Sequence, residues 1–187
     1  KYLEKNKIFF FIIIIFLLVL WGYSSERYNP NFPAIFLHPN NKEESEIVNE
    51  YINKRDNEMF EFIKISDKSI IAVFKDHVNE SDEELRKIIH KHTNVVMFLK
   101  RLFNRQRPYL VNKNLNYYKT PTSASPSFPS GHSLQAQYMA KKLSQKYPEK
   151  KELLYSIAEK VGIGRVYAGV HYPSDHKFAK LVASILP

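Results

Sequence analysis

The chain contains no cysteine, so disulfides, thiolate metal sites and cysteine nucleophiles are excluded, and any bound metal would need His, Asp or Glu ligands. Glycine is scarce as well: the 5 glycines in 187 residues form no glycine-rich phosphate loop. Negative charge falls short of positive, with 19 Asp and Glu against 28 Lys and Arg, and the resulting formal charge of +9 favours an anionic partner. Nucleic acid, a membrane surface and a phosphorylated substrate all satisfy that charge. There is no internal repeat, and 187 residues suit one domain with a real core rather than two.

Long apolar runs are missing with one exception. Residues 8–23 carry no charge and follow Lys1, Lys5 and Lys7. The run is long for a signal-peptide core and short of a full span of about 20 residues, so residues 1–24 read as a signal peptide or a membrane anchor. Gly22 and Ser24 suit cleavage after Ser24. The lysine flank keeps to the cytoplasm, which puts the rest of the chain outside it, in a periplasm, a lumen or the extracellular space. No later run reaches membrane length, which excludes a multi-span channel or transporter. Residues 25–44, with Pro30, Pro33 and Pro39, read as an extended linker or arm, and residues 45–187 as a helical domain.

Within that domain Ile47, Val48, Tyr51 and Ile52, then Met59 and Phe60, and next Ile70, Ile71, Phe74 and Val78 recur at helical spacing and predict two amphipathic helices. Ser81-Asp82-Glu83-Glu84 is a capping box opening a longer one, whose stripe of Leu85, Ile88, Ile89, Val95, Val96, Leu99 and Leu102 runs towards a stop near Pro108. Its His90 and His92 fall about 200° apart and read as surface residues. Residues 111–129 form a long polar loop, and three helices follow over about 132–147, 150–167 and 173–186, the last with Pro173 in its first turn. The fold class is all-α: a single helical bundle preceded by the hydrophobic signal or anchor helix.

Three stretches carry chemistry. In KRLFNRQRP, Lys100 and Arg107 lie two helical turns apart, and Arg101 and Arg105 add charge on neighbouring faces. The stretch is either a solvated basic helix end or a pair of cations reaching one anion. In SFPSGHS, Gly131 allows a sharp bend and close approach to a ligand at a helix start, where free amides and the Ser130 hydroxyl attract an anion. His132 would project there with a proton to exchange near neutral pH; the alternative is a plain loop-to-helix turn. In GRVYAGVHYPSD, Arg165, His171 and Asp175 are spaced so that the carboxylate can turn to an imidazole nitrogen, unless the Asp is only a cap beside a structural His.

Together these stretches resemble the type 2 phosphatidic acid phosphatase and haloperoxidase superfamily: Lys100, Arg107-Pro108; Pro129-Ser130-Gly131-His132; Arg165, His171, Asp175. Gly164 departs from the family's usual serine and removes a hydroxyl near the site. His176-Lys177 and Lys180 depart from its usual apolar or small residues. The resemblance implies a metal-independent phosphatase without a cofactor. In it His171 attacks phosphorus to give a phosphohistidine, Asp175 orients His171, and His132 serves as acid and then base. Lys100, Arg107, Arg165, the Ser130 hydroxyl and the Gly131 amide hold the phosphate oxygens. In layout the chain is similar to exported non-specific acid phosphatases rather than six-span lipid phosphatases, and its substrates are expected among phosphorylated small molecules or lipid phosphates. Tyr109, Tyr117, Tyr118 and Phe128 either contact an apolar substrate or pack their loop. The expected membrane contact is through the N-terminal segment, and no nucleic acid partner is expected. The alternatives are a vanadate-dependent haloperoxidase and a non-catalytic basic anion-binding module.

Overall fold

The computed structural model describes residues 27–30 and 38–187; the expected signal or anchor at 1–24 lies outside the described residues. The long helices are α1 (Asn41–Asn53), α2 (Asn57–Lys68), α3 (Asp82–His90), α4 (Thr93–Phe103), then α6 (Gly131–Lys146), α7 (Lys151–Tyr167) and α8 (Pro173–Ile185), with the four-residue α5 (Pro108–Val111) between α4 and α6. Among the described residues there is no strand, and no helix is long and apolar enough to cross a membrane.

Helix α6 is the axle. Ala136, Met139, Ala140 and Leu143 recur at i, i+3, i+4 and i+7 and pack with Leu85 and Ile89 of α3, Leu154, Ala158 and Val161 of α7, and Ile70, Ile71 and Phe74. Leu134 and Tyr138, one turn apart on another face, meet Val96 of α4 and Ala179, Val182 and Ala183 of α8. Buried on both sides, α6 has neighbours all round, and the short turn Pro148–Lys150 folds α7 back against it.

The structure differs from the sequence reading in several places. Helix α1 starts at Asn41, inside the expected linker, where Asn40 accepts the Lys42 N–H as N-cap. Residues 70–78 form two single 3-10 turns rather than an α-helix. The long helix after the Ser81 capping box, which is present, breaks at Lys91-His92 into α3 and α4. Its continuous stripe serves two separate clusters, and the break lets each half face its own. His92 is therefore not a surface residue: it is buried edge-on to Tyr138, ring centroids 4.5 Å apart.

Two glycines on opposite sides of α7 set its contacts. A Cβ on Gly162 would overlap the His176 ring of α8, while one on Gly164 would meet Ile63 of α2 at 3.4 Å. Gly164 thus faces a helix contact rather than removing a hydroxyl from the site. Gly162→Ala should lower stability by about 2–3 kcal/mol through overpacking, read as a lower urea midpoint at unchanged m, and Gly164→Ala should cost clearly less.

Candidate active site

The site lies at one end of the bundle, where α6 and α8 begin and α2, α4 and α7 finish. Helix α4 stops at Phe103 because Asn104 adopts a left-handed conformation (φ 39°, ψ 43°). The helical continuation expected to align Lys100 with Arg107 is therefore absent; the chain turns, and extended Arg107 at the start of α5 brings its guanidinium back. Between α7 and His171 the chain reverses at Gly169, the one described residue besides Asn104 with positive φ (75°). A Cβ there would crowd Tyr117 at 2.7 Å and Ile52 at 2.8 Å, so the conformationally demanding glycine is Gly169. Gly131 shows no such bend. It is the first residue of α6, and its missing Cβ leaves room beside Val96 and the Lys100 stem.

His171 sits between two fixed partners. Arg107 Nη1 is 2.9 Å from His171 Nε2, and Asp175 Oδ2 is 2.9 Å from Nδ1. A guanidinium has no lone pair to offer, so Nε2 must accept and Nδ1 must carry the proton. Asp175 Oδ2 also takes the Tyr172 N–H at 2.9 Å and the Ser127 hydroxyl, and Oδ1 takes Arg105 Nη1 at 2.7 Å. His171 consequently holds an unprotonated Nε2 against Arg107, its ring oriented by a carboxylate that three further donors fix in place.

Arg105, expected to add charge on a neighbouring helix face, is a buried hub. It binds Asp175 and Ser174 through Nη1, Glu44 through Nη2 at 2.6 Å and Asn41 through Nε, and it lies 3.8 Å over the Tyr172 ring. Glu44 also accepts the Ser174 amide. Nothing in KRLFNRQRP separates Arg105 from Arg101, and Glu44 lies 61 residues away, so no local pattern marks the Arg105–Glu44 pair.

The remaining cations converge on the same end. Lys100 Nζ donates to the carbonyls of Pro126 (2.6 Å) and Ser127 (3.5 Å). Arg107 donates to the carbonyls of Ser125 (2.8 Å) and Val170 (2.6 Å). Arg165 donates through Nη1 to Asp67 (2.6 Å) and through Nη2 to Thr120 (3.2 Å), while its buried Nε has no partner. Ser130, fully buried, accepts from the Ser133 hydroxyl at 2.9 Å, and its N–H binds the Asp175 carbonyl at 3.2 Å, which ties the start of α6 to α8. His132 points towards Asp67, Nε2 to Oδ1 3.7 Å. Four buried cations (Lys100, Arg105, Arg107, Arg165) thus face three carboxylates (Glu44, Asp67, Asp175). The surplus charge, with the orphan Arg165 Nε, suits a multiply charged oxyanion.

Burial, then the neighbouring Arg107 and Arg165 charges, pushes the Lys100 ammonium well below its usual range. Burial lowers Arg107 to about 10. His171 is pushed down by burial, then by Arg107, Lys100 and Arg165; His132 by burial, then by Arg165, Lys100 and Arg107. Among the described residues no group of three His, Asp or Glu side chains could hold a metal ion. Of the loop aromatics, Phe128 belongs to the interior, against Phe103 and Phe178, whereas Tyr109 and Tyr117 stack at 4.3 Å on the half-buried loop.

This assembly sets an oriented imidazole among buried cations at one end of a helical bundle. The chain belongs to the PAP2 superfamily, whose family model matches residues 89–186. It is similar in fold to the solved transmembrane PAP2 type phosphatidylglycerolphosphate phosphatase from Bacillus subtilis, at 21% identity and a TM-score of 0.54 over 91% of this chain and 89% of that one. That neighbour is a transmembrane protein, unlike the exported acid phosphatases expected from layout. No curated protein matches the sequence.

Arg105→Ala strips two buried carboxylates of their cation and should cost about 3–5 kcal/mol in chemical denaturation. Acid should also destabilise the ligand-free protein. Both imidazoles are held below the ordinary 6.5, so below that pH the unfolded chain takes up protons that the folded one refuses, and stability falls as pH falls. Melting temperatures from about pH 7.5 to about pH 5.5 should show this decline, reduced in His132→Ala.

Proposed function

We propose that the protein is a phosphatase that hydrolyses phosphomonoesters or lipid phosphates through a phosphohistidine, without a metal. The observation that carries the reading is the unprotonated Nε2 of His171 among three buried cations, whose one lone pair accepts from Arg107 and is freed once that guanidinium turns to a phosphate. A bound phosphate would take the donors of Lys100, Arg107 and Arg165, the Ser130 hydroxyl and the Gly131 amide at the start of α6.

In the first half the Nε2 lone pair forms a bond to phosphorus as the bond to the ester oxygen breaks. His132 gives its proton to that oxygen. The His171 ring becomes cationic, stabilised by Asp175 through Nδ1–H. In the second half His132 takes a proton from water, the oxygen attacks phosphorus, and the P–N bond breaks to release inorganic phosphate and neutral His171. Each histidine ends as it began.

Two observations support a lipid phosphate. The similar solved structure is named for phosphatidylglycerolphosphate. In this chain the Tyr28 N–H binds the Ala124 carbonyl at 3.2 Å and Asn29 exchanges hydrogen bonds with Asn104, beside the loop whose Ser125 holds Arg107. If residues 8–23 sit in a bilayer, the five residues to Tyr28 reach at most about 18 Å, which keeps the site near the lipid surface. On this reading the domain works outside the cytoplasm, tethered or exported.

The test is a phosphate-release panel of small phosphomonoesters, phosphatidic acid, phosphatidylglycerolphosphate and isoprenyl diphosphates, with and without chelator. Turnover should survive chelator, and His171→Ala should lose at least about 1000-fold. With labelled substrate and an alkaline quench, the wild type should retain protein-bound phosphate and His171→Ala none. Turnover abolished by chelator would sink the metal-free mechanism.

A further inference from the structure

The family's signature contains one carboxylate, Asp175, yet Asp67 also reaches the residues of that signature. Asp67 comes from the last turn of α2, 33 residues before the first signature position, and no motif points to it. Its Oδ1 is shared: Arg165 Nη1 lies 2.6 Å away and His132 Nε2 3.7 Å away, with both side chains largely shielded from solvent. Asp67 can approach because α2 lies on α7, where Ile63 and Met59 meet Gly164.

We propose that Asp67 is the carboxylate partner of His132, orienting its ring and supporting the proton it passes to the leaving oxygen, so that each histidine of the site has its own aspartate. This rests on the phosphatase reading above. Asp67 is a positioning residue: it touches His132 and Arg165 rather than the reacting atoms. With Nε2 turned to Asp67, Nδ1 is the nitrogen left to face the ester oxygen.

The charges around His132 explain why such a partner matters. From α7, α4 and the turn before α5, Arg165, Lys100 and Arg107 all oppose a proton on its ring, and neutral His171 lies across the cradle. Asp175 is engaged behind His171 by Arg105, Ser127 and Tyr172. Among the described residues Asp67 alone places a carboxylate within ion-pair reach of His132, and its backbone carbonyl favours the charged ring as well. An acid surrounded by three cations needs one anion to hold a transferable proton near neutral pH.

The role can be separated from simple support of Arg165 by the leaving group. An alkyl phosphate such as glycerol phosphate needs a proton on its departing oxygen; dinitrophenyl phosphate does not. Asp67→Asn keeps a hydrogen-bond acceptor for Arg165 and the backbone carbonyl, and removes only the charge. Its kcat/KM should fall about 100-fold on the alkyl ester and less than about 3-fold on the dinitrophenyl ester, with His132→Ala showing the same split more strongly. The pH above which alkyl-ester kcat/KM declines should also move to lower pH. Should Asp67→Asn not fold, Asp67→Glu, which displaces the charge from His132, should show the split in weaker form. Equal losses on both esters would reduce Asp67 to a support of Arg165 and overturn the pairing while leaving the phosphatase reading intact. A wild-type protein inactive on both esters would overturn that reading and the pairing with it.

Discussion

A carboxylate cannot be buried without its charge being met, and at Asp175 that requirement organises the end of the bundle. Arg105, Ser127, the Tyr172 amide and His171 all converge on it, from three different stretches of chain. The Arg105 guanidinium is satisfied in turn only if Glu44 and Asn41 of α1 are in place. The orientation of one imidazole therefore depends on the first described helix, the loop before α6 and the cap of α8 at once. Removing any of these leaves a polar group unsatisfied where water does not reach.

The same reasoning explains the cost carried by the opposite wall. Lys100 and Arg107 are buried against neutral carbonyls, with burial and mutual repulsion both pressing against their charge. Such a cluster is unfavourable in an empty protein and favourable around an oxyanion. The fold supplies the difference through the apolar packing of α6 against α3, α7 and α8. The apolar packing runs along the helix flanks and the buried charges gather at the helix ends.

How much of this could be read from residues alone follows the range of the interactions. The helices around α6 and α7 were legible almost to their ends, because periodicity, Pro148 and Pro173 act locally. Lys100, Arg107, Ser130, His132, Arg165, His171 and Asp175 were legible because they cluster in three short stretches. Arg105, Glu44, Ser127 and Asp67 were not, since each gains its meaning from a partner dozens of residues away. The break at His92 was hidden for a related reason: an unbroken helical stripe cannot show that its two halves serve different clusters. Glycine misled in the opposite sense. Gly131 stood out beside a histidine, whereas the turn that demands a glycine is at Gly169.

Because every residue gathered at the candidate site is mounted at a helix terminus or in a connecting loop, the outward sides of the cylinders take no part in it. Those sides here carry lysines and glutamates, with pairs such as Lys87–Glu83 and Lys160–Glu58 in solvent, although the similar Bacillus subtilis protein is a transmembrane one. One helical architecture thus tolerates very different surfaces along its staves.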